Sequence, residues 1–234
     1  MKAMFLRVGI DKGGDGVLAP IFEDGSFEFI PISEDDFFSK EMRTYKNTIG
    51  RSGKPLSTYL PRVIENYTMH FDPEFSTFTY GDPTSKRKYL LKLKPDDLLI
   101  FYAGLSPYKN NIYKTALYIL GYFFIEKVID FNKLSKREIE ECSKLYPNNS
   151  HIKRQEDIKD LVIIVGNQQN SRLLDEAILI SKIKIDKIGR NYHAVSDEME
   201  KLLGISGSIQ RSIPPRFVYD CVYLNNLKII LNIK

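Results

Sequence analysis

Residues 94–128 read KPDDLLIFYAGLSPYKNNIYKTALYILGYFFIEKV, and the fold turns on this stretch. Pro95-Asp96-Asp97 is turn chemistry, because proline presets one backbone angle and aspartate bonds its own backbone. It leads into Leu98–Ala103, an apolar run too short for an ordinary helix and bounded by turn residues, which reads as a buried strand. Leu105–Lys114, with Pro107, Asn110 and Asn111, is a loop. Leu117–Val128, rich in β-branched and aromatic residues, is a long returning strand. Two such strands joined by a polar loop put a sheet at the centre of the molecule.

Outward from that pair, Phe5–Ile10 reads as a strand that runs into a loop containing Gly13, Gly14 and Gly16. Leu18–Phe22 and Phe27–Ile32 flank Glu23-Asp24-Gly25-Ser26, where Asp-Gly supplies the positive φ of a tight hairpin. Pro20 and Pro31 lack the N–H of a central strand and place that hairpin at a sheet edge or mouth. Residues 33–55 are a polar excursion. The spacing of Leu60, Val63, Ile64 and Tyr67 predicts a helix over Ser57–Asn66, and Gly81–Ser85 is a surface loop beside whatever site exists. Ser135 and Glu138 form a capping box that starts a helix over Leu134–Leu145. Leu161–Gly166 and Ala177–Lys182 read as strands, Ser196 caps a short helix that Gly204 stops, and Phe217–Ile233 reads as β-rich. The order lacks regular βα alternation and no linker divides the chain. The expectation is therefore α+β, one domain over 1–234, around a mixed, partly closed β-sheet with a few peripheral helices.

Composition excludes several classes. The 234 residues carry 34 Lys plus Arg against 30 Asp plus Glu, so a formal charge of +4 does not by itself pin the chain to a polyanion. The apolar run Ala116–Ile125 falls far short of the roughly 20 residues that cross a bilayer. Arg7, Asp11 and Lys12 interrupt the N-terminal stretch before a signal-peptide core of about 7 to 15 residues can form. The expected setting is cytoplasmic, with no membrane. Cys142 and Cys221, without CxxC spacing, read as reduced core thiols in a helix and a strand.

Two constellations carry possible chemistry. Aromatic and basic residues gather in Tyr80–Tyr89 and Leu105–Lys114, on either side of the strand Leu98–Ala103. Exposed rings stack on bases while cations hold phosphates, which points to a nucleic-acid or nucleotide partner. Tyr80, Tyr102 and Tyr108 would stack, and Lys86, Arg87 and Arg211 would hold phosphate. The competing reading is an enzyme acting on a nucleotide or base, with Asp11, His70, Asp72 and His151 converging as acid, base or metal ligands. His70 stands two residues from Asp72 and His151 three from Arg154, but no H-x-H or H-E-x-x-H spacing marks a metal site, and the sequence leaves any cofactor unknown. His193 reads as exposed. The glycine loop matches neither G-x-G-x-x-G nor the P-loop, and its aspartates would repel a phosphate.

The stretch RVGIDKGGDGVLAPIFEDGSFEFIPIS at 7–33 resembles the opening of the nucleotide modification associated domain 3 family: an Asp, a Gly-rich loop, a Pro, a D-G turn and a second Pro, here Asp11, Gly14, Pro20, Asp24-Gly25 and Pro31. His70-Phe71-Asp72-Pro73, Pro95–Phe101, Gly121-Tyr122-Phe123 and Arg211–Phe217 resemble that family's later blocks in the same order, with Ile213 where the family carries an aromatic before its late proline. The resemblance implies a role associated with nucleotide modification and specifies no reaction. Separately, residues 94–128 are similar to the barrel core of PUA-like domains, which implies a partial barrel that binds RNA or a modified base.

Overall fold

A computed structural model describes residues 1–11, 16–37, 39–154 and 158–233. Twelve strands and five α-helices follow one another as β1 (Ala3–Arg7), β2 (Ala19–Ile21), β3 (Ile32–Ser33), β4 (Met69–His70), β5 (Thr79–Asp82), α1 (Arg87–Leu90), β6 (Leu98–Pro107), β7 (Ala116–Asp130), α2 (Lys136–Leu145), α3 (Ser150–Lys153), β8 (Val162–Gly166), β9 (Arg172–Leu179), β10 (Ser181–Ile185), β11 (Asn191–Val195), α4 (Asp197–Leu203), β12 (Arg216–Val218) and α5 (Cys221–Ile230). The fold is α+β with one large mixed sheet and few helices.

The two strands read from residues 94–128 are its centre. The main sheet runs β12-β1-β6-β7-β8-β5, with β2 added on β6 and β9 on β7. Strand β6 alternates between two cores: Ile100 and Tyr102 face one, Leu99 and Phe101 the other. Both faces are therefore buried, which is why its sequence is continuously apolar rather than alternating. Helices α4 and α5 cover the first face through Met199, Leu203, Leu224 and Leu227. Helix α2 packs Cys142 against Ile163 and Val165 of β8 in a third cluster. Truncating a buried ring such as Phe101 to Ala would cost about 3–5 kcal/mol.

Two seams in this sheet position the site. Strands β1 and β2 both lie parallel to β6 on one side, β1 against Leu98–Tyr102 and β2 against Leu105–Pro107. The chain leaves the sheet between them, near Gly104, where a Cβ would stand 2.7 Å from the Leu18 side chain. On its other side β7 divides, giving its first half to β9 and its second to β8, whose far edge carries β5. The short pair β3–β4 sets Ile32 opposite His70.

Several expectations are corrected. The sheet path among the described residues does not close into a barrel. The helix expected over Ser57–Asn66 is two 3₁₀ turns, Leu56–Tyr59 and Arg62–Ile64; Pro61 lies between them, and its ring and missing N–H forbid a continuous helix. The tail is not β-rich: β12 has three residues and α5 follows, capped by the Asp220 side chain accepting from Val222 N–H. Cys221 begins that helix and is exposed, whereas Cys142 is buried. The hairpin at Asp24-Gly25 forms, with Gly25 at φ +86°, but its strands share only the Ile21–Phe27 bridge. Gly13 and Gly14 lie outside the described residues. No helix among the described residues is long and apolar enough to cross a membrane.

Candidate functional site

His70 ends β4, Asp72 follows it by two residues and His151 sits on α3, and the fold brings these three together. His70 Nε2 and His151 Nε2 are 3.3 Å apart although 81 residues separate them, and His151 Nε2 is 3.6 Å from Asp72 Oδ2. One ligand atom from each lies within 4.8 Å of the other two, close enough to share a proton or hold a single metal ion. The trio lines a polar cavity of about 210 Å³.

His70 and Asp72 are each held by a neighbour that fixes which atom faces the cavity, and His151 is placed by the anchoring of its helix. The β3–β4 pairing carries Glu34 beside His70, with Glu34 N–H donating to Thr68 O. Glu34 Oε2 lies 2.9 Å from His70 Nδ1. An ionised carboxylate only accepts, so Nδ1 carries a proton, and in the neutral ring this tautomer leaves the Nε2 lone pair facing His151. Burial alone would raise the Glu34 carboxyl, but hydrogen bonds from His70 and Arg154 overcome it and hold the group well below the usual carboxylate range. Asp72 Oδ1 accepts the Gly81 N–H of β5 at 2.8 Å, which leaves Oδ2 for the cavity. Gly81 also leaves room: a Cβ there would stand 2.8 Å from His151 Cδ2. Helix α3 has four residues, too few to stand alone, and is held from outside. Asn149 caps it by accepting from His151 N–H, Ser150 Oγ donates to Phe71 O, and Lys153 Nζ reaches the buried Glu41 at 2.6 Å.

Part of the cavity's lining, Arg7, Arg211 and Asp35 among it, is shared with a second, larger cavity of about 800 Å³ at the seam between β1 and β2. Arg7 and Arg211 line both cavities. Asp11 ties them together, 2.7 Å from Arg211 Nε and 3.7 Å from Arg7, and Arg211 also donates to Gly9 O at 2.6 Å. Burial lowers the Arg7 pKa against the pull of Asp11, and Arg211 lowers it further; the Nε of Arg7 has no hydrogen-bond partner among the described residues. His193 lines the larger cavity half-buried, its pKa lowered by burial and by Arg7, rather than standing in solvent.

Of the residues singled out in the sequence, His70, Asp72 and His151 converge, whereas Asp11 lines the larger cavity, against Arg7 and Arg211, rather than joining the imidazoles. Lys86 and Arg211 line the polar cavity, and the segment Gly81–Ser85 contributes Asp82 and Thr84 to its rim. The stacking tyrosines require correction. Tyr80 and Tyr102 are 3% and 4% exposed and offer no ring face. Tyr102 donates its hydroxyl to Ile209 O, and burial pushes its pKa up to about 12. Tyr80 donates to Asp82, and burial, then Asp72 and Asp82, raise its pKa further. Tyr108 lies elsewhere, edge-on to Tyr59 and Phe22. Arg87 pairs with Asp130 at 2.6 Å and lies outside these cavities.

Glu34, Gly81, Arg7 and Asn149 carry the site's positioning and were not legible as such. The Glu34–His70 contact spans 36 residues and depends on a two-residue strand pair that no periodicity announces. Only the His151-x-x-Arg154 spacing gave a hint, since Arg154 anchors Glu34.

No curated protein and no solved structure matches the chain. A family model does: nucleotide modification associated domain 3 matches residues 2–198, a span that takes in His70, Asp72 and His151 and stops before Arg211. On that match the chain belongs to the nucleotide modification associated domain 3 family.

Proposed function

We propose that the chain is an enzyme acting on a nucleotide or base, with His70, Asp72 and His151 doing proton chemistry at the small polar cavity. The observation that supports this reading is the convergence of those three side chains, from segments remote in sequence, beside a wall shared with the larger cavity. At about 800 Å³ that cavity is within the size range of small-molecule sites. Arg7 and Arg211 are placed to meet a phosphate there, and a guanidinium fork matches phosphate oxygens. His70, oriented by Glu34, presents an acceptor; His151, oriented by its neighbours, can donate or receive the proton at the substrate. Asp72 steadies positive charge on His151.

The test is incubation with a panel of nucleoside mono- and triphosphates and single-stranded oligonucleotides, read by mass spectrometry of the products. The expected result is conversion of at least one, slowed about 10²- to 10⁴-fold in His151→Gln and Asp72→Asn. No product across the panel, or conversion indifferent to both substitutions, contradicts the reading.

A separate observation favours nucleic-acid binding at another place. Phe22, Tyr59 and Tyr108 edge a cavity of about 830 Å³ beside Arg51 and Lys54, a half-exposed aromatic rim with cations close by. A salt series of single-strand titrations tests it. Tyr108→Ala should cost about 1–3 kcal/mol of binding, and binding that shows neither salt dependence nor that loss removes the second reading.

A further inference from the structure

The structure assigns a metal site to the trio: we infer that His70 Nε2, His151 Nε2 and Asp72 Oδ2 bind one divalent first-row transition metal ion. The inference deepens the reading of the polar cavity as a nucleotide-processing site and rests on it only for the use made of the metal, not for its binding; with a metal bound both Nε2 lone pairs are taken, so His70 and His151 would serve as ligands in place of the proton roles given them above.

Glu34 accepts a hydrogen bond from His70 Nδ1–H, so in the neutral ring His70 Nε2 offers its lone pair, and it offers it to another imidazole Nε2 at 3.3 Å. Two ring nitrogens at that separation require either one shared proton or one cation between them. Tetrahedral ligation at a metal–nitrogen length of about 2.0–2.1 Å sets the two nitrogens about 3.3–3.4 Å apart. A second edge, 3.6 Å from His151 Nε2 to Asp72 Oδ2, is close to that figure, and the His70–Asp72 edge lies within 4.8 Å. Two imidazoles and a carboxylate are a common donor set for zinc and for non-haem iron, with remaining positions left for water or substrate.

The surroundings are those of a ligand set. A carboxylate behind a histidine fixes its tautomer and makes it a better donor, which is the arrangement Glu34 gives His70. The Gly81 N–H ties down the Asp72 oxygen that would not bind metal. Charge agrees too. Glu34 is matched by Arg154 and Asp82 has Lys86 at 4.0 Å, while Asp72 pairs with His151 itself and, among the described residues, with no Lys or Arg within 4.0 Å. A divalent cation at the trio would supply the positive charge that Asp72 faces.

Chelator-treated protein is titrated with Co²⁺ and followed by its visible absorption, with Zn²⁺ as competitor and no nucleotide present. Cys221→Ser serves as background, so that the exposed thiol contributes no band. One equivalent per chain is expected. Glu34→Gln should weaken binding about 10- to 100-fold, and Asp72→Asn or His151→Gln by more, with circular dichroism unchanged. Wild-type protein gives an independent reading that needs no variant. On Zn²⁺ addition the ring-nitrogen resonances of two of the three histidines should shift and those of His193 should not. Absence of stoichiometric binding, binding that survives Asp72→Asn and His151→Gln, or a shift confined to His193 overturns the inference. Nucleotide conversion by fully chelated protein would overturn any catalytic use of the metal while leaving the proposed function intact.

Discussion

Gly81 does two things in the site: its N–H holds Asp72 Oδ1 and its missing side chain makes space for the His151 ring. Gly81→Ala should therefore push the imidazole out of the cavity, slowing nucleotide conversion at least about tenfold while leaving the urea midpoint close to wild type. Unchanged kinetics would show that the ring's placement does not matter. Tyr102 makes the opposite prediction. Its hydroxyl satisfies Ile209 O in the core, so Tyr102→Phe should cost about 1–2 kcal/mol of stability by chemical denaturation and leave conversion unaltered. At this scale the sequence showed which residue types were present but not which were covered. Tyr80 and Tyr102 look like stacking rings in a list of aromatics, yet they sit on strands buried on both faces. The histidines were legible because there are only three, and their partners were not, because Glu34 is one acid among 30 Asp plus Glu.

Helix α3 carries His151 and depends on contacts beyond itself. Burial alone would raise the Glu41 carboxyl, but Arg43 and Lys153 hold it down at about 2. Glu41→Gln should loosen residues 149–153, seen as faster amide exchange there than in β6, and should cost about 2 kcal/mol of stability. Equal exchange in the two proteins would mean that the Asn149 cap suffices. Elements whose ends are marked by short-range chemistry could be read in advance. Helix α2 shows the full capping box of Ser135 and Glu138, and α4 ends at Gly204 with φ +64°. Helix α5 could not be read this way: Val222, Tyr223, Ile229 and Ile230 favour strands in isolation, and only packing of Leu224 and Leu227 on the sheet decides otherwise. The 3₁₀ turns around Pro61 show a helical spacing overruled by one residue without an N–H.

Over the whole molecule, Glu34 and Glu41 link folding to pH. Both carboxyls sit below their ordinary value in the folded chain, so both contribute stability that is complete above the unfolded value and is lost as pH falls through the folded one. Thermal stability should be flat above pH about 4.5 and decline toward pH about 2, and Glu41→Gln should flatten that decline. An acid limb identical in the variant would refute the assignment. The central antiparallel pair was legible because β6 and β7 are sequence neighbours with a short loop. The parallel pairing of β1 with β6 and the contact of β3 with β4 are not local and carry no turn signal, and the site is assembled from those non-local pairings. The most direct measurement is a crystal structure of the protein soaked with a nucleoside monophosphate that it binds. The account predicts the phosphate within hydrogen-bond distance of Arg7 or Arg211 and the base or sugar in contact with His151. A nucleotide seated away from both cavities, or His70 and His151 facing apart, would contradict it.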